Sequence, residues 1–221
     1  MSGIGNFGGT FNPNHLGHLR AVEEVREAQG LGEVRLVPAA LPPHKEGAGL
    51  ARASDRVHMV ELAVAGLPGF RVSTLELDRP GPSYSVDTLR AIRAEVGEAE
   101  RLVFILGLDA FRDFHTWKEH AAIFSLCDVV VVTRPPAPAA LSQEDIPLAA
   151  RESFWYDSSS GVFRHQSGHV LSLQHITALD ISAASIRARV ASCRSVRFLV
   201  PPAVEAYLVE HAFYRQEDVL R

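Results

Sequence analysis

The chain has 221 residues, 47% of them hydrophobic and 22% charged, with a formal net charge of -4 at neutral pH. That composition fits one globular domain with a full core, and the acidic balance argues against a nucleic-acid-binding surface, so any anionic ligand must be held by local groups. Two cysteines, Cys127 and Cys193, make no disulfide framework, no run of about eighteen apolar residues marks a membrane span, and no basic-then-apolar leader opens the sequence, so the expected location is cytoplasmic.

In chain order, Ile4 to Phe7 reads as a short strand, and Leu16 to Leu31 as a helix with Leu19, Val22 and Val25 on one face. Glu33 to Pro38 is a second strand, and 39–53 a Pro- and Gly-rich loop. Ser54 is the expected N-cap of a helix running through Ala65. Phe70 to Leu77 reads as extended, 78–82 as a turn, and Tyr84 to Val96 as a helix capped by Ser83 or Ser85. Arg101 to Leu106 is a strand ending at Gly107, and Val129 to Thr133, with four successive valines, a strand buried on both faces. Cys127 beside it reads as a small core hydrophobe. Residues 135–168 carry no clear period. Val170 to Ile176 alternates as a strand, and Ser182 to Ser192 and Pro202 to His211 read as helices. Strands alternating with helices predict an α/β, Rossmann-like, doubly wound parallel sheet with helices on both faces and a small helical C-terminal part.

The chemistry concentrates in Gly8-Gly9-Thr10-Phe11-Asn12-Pro13-Asn14-His15-Leu16-Gly17-His18. Glycines at a strand end admit a close ligand, and the helix start that follows offers free N–H groups to an anion. His15 and His18, three apart, face the same way and suit a phosphate clamp; a pair of structural histidines and an incomplete zinc pair are the competing readings. Gly3, Gly5 and Gly8 spell a dinucleotide-type G-x-G-x-x-G, but no strand precedes it, so it reads as a decoy. Only Lys45 and Lys118 are lysines, which singles out Lys45 in its Pro-Pro-His loop. The loops 8–18, 42–45 and 107–109 each follow a strand, where ligands bind in such sheets.

The run from Gly9 to His18 resembles the (T/H)xGH signature of the nucleotidyltransferase superfamily, and Ile181-Ser182-Ala183-Ala184-Ser185-Ile186-Arg187 resembles its second signature, ISxxxIR. Val37 to Lys45, Pro82 to Leu89, Ile105 to Asp109 with Trp117, Val132 to Pro135, and Leu199 to Val204 with Tyr207 are similar to the bacterial nicotinate-nucleotide adenylyltransferases. The resemblance covers nearly the whole chain except about 137–168. It implies a reaction in which nicotinate mononucleotide attacks the α-phosphorus of ATP in line, with Mg2+ bound mainly through the ATP phosphates. It implies a single domain over 1–221, with 181–221 closing the ATP site. By the resemblance, Gly8, Gly9, Thr10, Phe11, Gly107, Asp109, Ile181 and Ser182 line the ATP site. His15 binds polyphosphate, His18 the α-phosphate, and Arg187 adds charge. Lys45, Tyr84, Thr88, Trp117 and Arg134 hold the mononucleotide. No metal ligand from the protein, no nucleic acid and no membrane is implied, and a homo-oligomer is left open.

Competing roles stand beside these: Lys45 and Arg187 as solvated charges, Trp117 and Tyr84 as packing residues, Asp109 as a helix N-cap. Asn12 replaces the aspartate often found there, Leu108 an alanine, and the two serines of the second signature leave open which hydroxyl meets phosphate. The alternatives in function are a sister enzyme using nicotinamide mononucleotide or pantetheine phosphate, a non-catalytic nucleotide-binding relative, and a tRNA synthetase fragment.

Overall fold

The computed structural model describes residues 3–42, 49–134 and 138–215. Eight strands pair in the order β3-β2-β1-β4-β5-β8-β7-β6. They are β1 (Ile4–Gly9), β2 (Glu33–Pro38), β3 (Phe70–Val72), β4 (Leu102–Gly107), β5 (Asp128–Thr133), β6 (Phe154–Asp157), β7 (Val162–His165) and β8 (Val170–His175). The helices are α1 (Leu16–Gln29), α2 (Ala53–Val64), α3 (Ser85–Val96), α4 (Leu108–Arg112), α5 (His120–Ile123), α6 (Leu148–Arg151), α7 (Ala183–Ala191) and α8 (Pro202–Glu210). The β1–β4, β4–β5 and β5–β8 pairs are parallel. The predicted α/β sheet is therefore present, with one departure: β6 and β7 form an antiparallel hairpin, and β7 also pairs antiparallel to β8. It occupies part of the stretch that carried no readable period, because each strand is only four residues long.

The chain divides into two compact units, neither continuous in sequence: Met1–Gly8 with Ala21–Arg35 and Tyr84–Thr177, and Gly9–Arg20 with Leu36–Ser83 and Ala178–Arg221. The first unit owes its core to the central strands. Val129, Val130, Val131 and all of Leu102–Leu106 are buried, as a strand covered on both faces requires. Helix α3 adds Val86, Leu89 and Ile92, one face at helical spacing. Cys127 is buried there, and desolvation pushes its thiol far up, leaving it protonated. The second unit has a core of its own: Met59 and Ala63 from α2, Ile186 from α7, Val196, Val200, and Val204 and Leu208 from α8.

Several expected boundaries move. Helix α2 begins at Ala53, with Arg52 rather than Ser54 at its N-cap, and α3 follows Tyr84 with no side-chain cap. Extended structure after Phe70 lasts only to Val72, because the Thr74 carbonyl accepts from Leu77 and Asp78 N–H groups and turns the chain. Asp109 is not an N-cap: Gly107 holds that position and Asp109 lies in the first turn of α4.

Candidate functional site

In the second unit the segment from Gly9 to His18 is held from several sides. Phe11 adopts φ 48°, a conformation sparsely populated outside glycine, and its ring is buried. Asn12 anchors the turn with every atom it has. Its Oδ1 accepts from Ala51 N–H at 3.1 Å and from the Tyr214 hydroxyl at 2.6 Å, and its Nδ2 donates to the Gly49 carbonyl at 2.8 Å. An aspartate would lack that donor, which accounts for the amide here. Arg187 Nη1 donates to the Asn12 carbonyl at 2.7 Å. Burial pushes the Tyr214 hydroxyl well up, against the opposing pull of Arg187 and Arg56, so it stays a donor.

Arg56 of α2 is 1% exposed, and all three of its nitrogens donate to carbonyls: Nε to Ala51 at 3.0 Å, Nη1 to Thr10 at 2.8 Å and Nη2 to Ala40 at 3.2 Å. Desolvation lowers its affinity for the proton, partly offset by Tyr214 and Glu76. Two guanidinium groups thus sit on the carbonyls of the glycine-rich turn. They fix the orientation of its peptide units, the kind of preorganisation on which charge stabilisation depends.

At the helix start the His15 and His18 rings stack, with centroids 3.6 Å apart, and the Phe11 ring meets His18 edge-on at 5.2 Å. His15 is buried and His18 half-buried. Gly17 explains how they fit. A Cβ at that position would lie 3.1 Å from His15 Nδ1 and 3.7 Å from the Ile181 side chain. Gly17 therefore makes room for the inner imidazole and lets the two signatures meet. Leu16 N–H donates to the Leu199 carbonyl at 2.9 Å, fixing the turn to the C-terminal segment.

The second signature opens α7. Ser182 is its N-cap and forms a capping box with Ser185. Ser182 Oγ accepts from Ser185 N–H at 3.1 Å, while Ser185 Oγ donates to the Ser182 carbonyl at 2.8 Å. In this pair the Ser185 hydrogen is committed and the Ser182 hydrogen is not. Ser182 is exposed at a helix N-terminus, where partial positive charge favours an anion.

The other candidates lie in the first unit. Gly8, next to last in β1, and Gly107, last in its parallel neighbour β4, lie just past the Phe7–Ile105 pair, and a Cβ on either would meet nothing within 4 Å. Asp109 is fully exposed, 3.6 Å from Arg112. Trp117 is half-buried against Phe114, with ring centroids 5.1 Å apart. Tyr84 is half-buried too, and Lys118 Nζ lies 5.0 Å over its ring while pairing with Asp87 at 2.9 Å. The second lysine thus ties the Trp117 segment to the start of α3. Thr88 is buried, and its hydroxyl donates to the Tyr84 carbonyl at 3.3 Å. Arg134 is exposed. Lys45 lies outside the described residues.

Arg56 and Tyr214 escaped the sequence reading. Arg56 carried a signal: it lies four residues before Val60 and three before Met59, on the buried face of α2, where an arginine must find several acceptors.

The family described as cytidylyltransferase-like matches residues 6–189. A Geobacter sp. (strain M21) protein named "Probable nicotinate-nucleotide adenylyltransferase" is 46% identical over 211 residues, covering 96% of this chain and 97% of that protein. A protein of the same name from Syntrophotalea carbinolica is 44% identical over 215 residues, covering 97% and 98%. The Plasmodium falciparum nicotinic acid mononucleotide adenylyltransferase complexed with NaAD matches with a TM-score of 0.71 at 15% identity, over 97% of this chain and 98% of that one, a likeness of fold.

Proposed function

The chain belongs to the cytidylyltransferase-like family and, within it, to the nicotinate-nucleotide adenylyltransferases; from that premise we propose how its residues divide the reaction. The enzyme transfers the adenylyl group of ATP to nicotinate mononucleotide, giving nicotinate adenine dinucleotide and pyrophosphate in NAD biosynthesis. A phosphate oxygen of the mononucleotide attacks the α-phosphorus, the bond to the β-phosphate oxygen breaks opposite it, and pyrophosphate leaves. The attacking oxygen is already anionic, so no general base is needed, and the protein's work is alignment and charge stabilisation.

In this reading His18 donates to the α-phosphate as charge builds there, and His15 supports the polyphosphate behind it. Gly8, Gly9, Thr10 and Phe11 line the phosphate and ribose side of ATP, while Gly107 and Asp109 meet the adenosine half. Ile181, Ser182 and the α7 N-terminus receive the β- and γ-phosphates, with the Ser182 hydroxyl as donor. Arg187 acts by holding the Asn12 carbonyl as well as by its charge. Lys45, Tyr84, Trp117 and Arg134 bind the mononucleotide, and Thr88 steadies the turn that presents Tyr84. Mg2+ would be held mainly through the phosphate oxygens of ATP. When bound it neutralises phosphate charge.

The observation that carries this division of labour is the meeting of the two signatures, Arg187 on the Asn12 carbonyl at 2.7 Å and Ile181 against Gly17. The test is product formation from ATP and Mg2+ with nicotinate mononucleotide, nicotinamide mononucleotide or pantetheine phosphate as acceptor. Pyrophosphate release with nicotinate mononucleotide ahead of the other two is expected. Release only with another acceptor would reject the acceptor residues named here.

A further inference from the structure

Asn14 has no task in the proposed reaction, yet it is fully buried at the centre of the signature turn. Its Oδ1 accepts the backbone N–H of His15 at 2.9 Å, which identifies that atom as the oxygen, and the same Oδ1 lies 3.1 Å from His18 Nδ1. An amide oxygen only accepts, so the hydrogen between them sits on His18 Nδ1. His15 N–H is shared: its shorter arm, 2.9 Å, goes to the Asn14 oxygen and its longer arm, 3.3 Å, to that nitrogen. Asn14 Nδ2 has no hydrogen-bond partner among the described residues, a cost in stability that an apolar side chain of the same size would not incur.

Protonated at Nδ1, a neutral His18 turns a lone pair at Nε2 toward any phosphate oxygen and repels it. Only the imidazolium presents an N–H there. His15, stacked at 3.6 Å, opposes a second positive charge on the pair, so one ring takes the proton. The charged groups on the neighbouring elements are already engaged: Arg56 of α2 and Arg187 of α7 on the Thr10 and Asn12 carbonyls, and Asp55 with Arg52 and Tyr207. We infer that Asn14 is a positioning residue that makes His18 the ring to become cationic, with a proton taken from water, when nucleotide phosphate binds. The inference rests on the proposed role of His18 at the α-phosphate.

Side-chain 15N NMR of the free enzyme should show neutral His18 as the Nδ1–H tautomer. In Asn14→Leu it should shift toward Nε2–H, with melting temperature unchanged or raised and kcat down about 10-fold, the scale for partners that orient a functional imidazole. Asn14→Asp keeps the acceptor, so it should restore kcat to within about threefold and move the alkaline fall in activity to higher pH. An Nε2–H tautomer in the wild-type enzyme overturns the inference even where a variant fails to fold, and so does an Asn14→Leu enzyme with unchanged kcat. His18→Ala separates the two levels: if it retains full activity the role of His18 fails, whereas an impaired His18→Ala beside an unaffected Asn14→Leu removes Asn14 alone.

Discussion

Single side chains set the phosphate turn, and their contributions can be separated. Gly17 exists for the ring of His15, so Gly17→Ala should push that imidazole aside and lower kcat about 10-fold with little change in melting temperature; equal losses in both would make the glycine a folding residue. Arg56 satisfies three partly buried carbonyls at once. Arg56→Met should lower unfolding free energy by about 3 kcal/mol in a denaturant titration, since those acceptors lose their partners; a loss below about 1 kcal/mol would mean water replaces the guanidinium. His15 and His18 were legible as a pair from their spacing one turn apart after glycines, and the structure stacks their rings. Arg56 and Tyr214 were not, because their partners are backbone carbonyls and an amide far away in sequence, which no local pattern encodes.

Elements place these side chains, and their ends matter more than their middles. Helix α7 carries a reciprocal Ser182–Ser185 cap, and its first turn is the expected phosphate seat. Ser182→Ala should cost about 1 kcal/mol of stability, the usual value of an N-cap, and raise KM for ATP more than for the mononucleotide. A change in stability alone would take the hydroxyl out of the substrate site. Element type was readable wherever periodicity ran long, as in α1, α3 and the valine strand β5. It failed at α2 and α3 caps, where the structure uses Arg52 and Tyr84 with no side-chain bond, and serines nearby drew the expectation away. It failed again at β6 and β7, whose four-residue strands are joined by a turn in which Asp157 accepts from the Ser159 and Ser160 hydroxyls. Such short strands exist through their partners, each other and, for β7, β8, and not through their own pattern.

At the scale of the whole molecule, each compact unit carries its own core. Asp128 in the first unit is partly desolvated, which raises its carboxyl. The bonds it accepts from His169, Arg101 and Val170 N–H outweigh that, so the carboxyl titrates below its usual range. A depressed native value means its contribution is complete above the unfolded value of about 4 and fades as pH falls through the native one. Asp128→Asn should therefore flatten the decline of unfolding free energy below about pH 4, measured by urea titration at each pH; an unaltered slope would assign the acid sensitivity elsewhere. The alternation of strands and helices fixed the α/β class from sequence, whereas the division into two units, each assembled from three separated segments, had no local signature. The proposed reaction turns on His18. Steady-state pyrophosphate release from ATP, Mg2+ and nicotinate mononucleotide by wild-type and His18→Ala enzyme tests it most directly. A loss of roughly 10²–10³-fold in kcat is the expected result, the scale for one transition-state donor, and a loss below about threefold would contradict it.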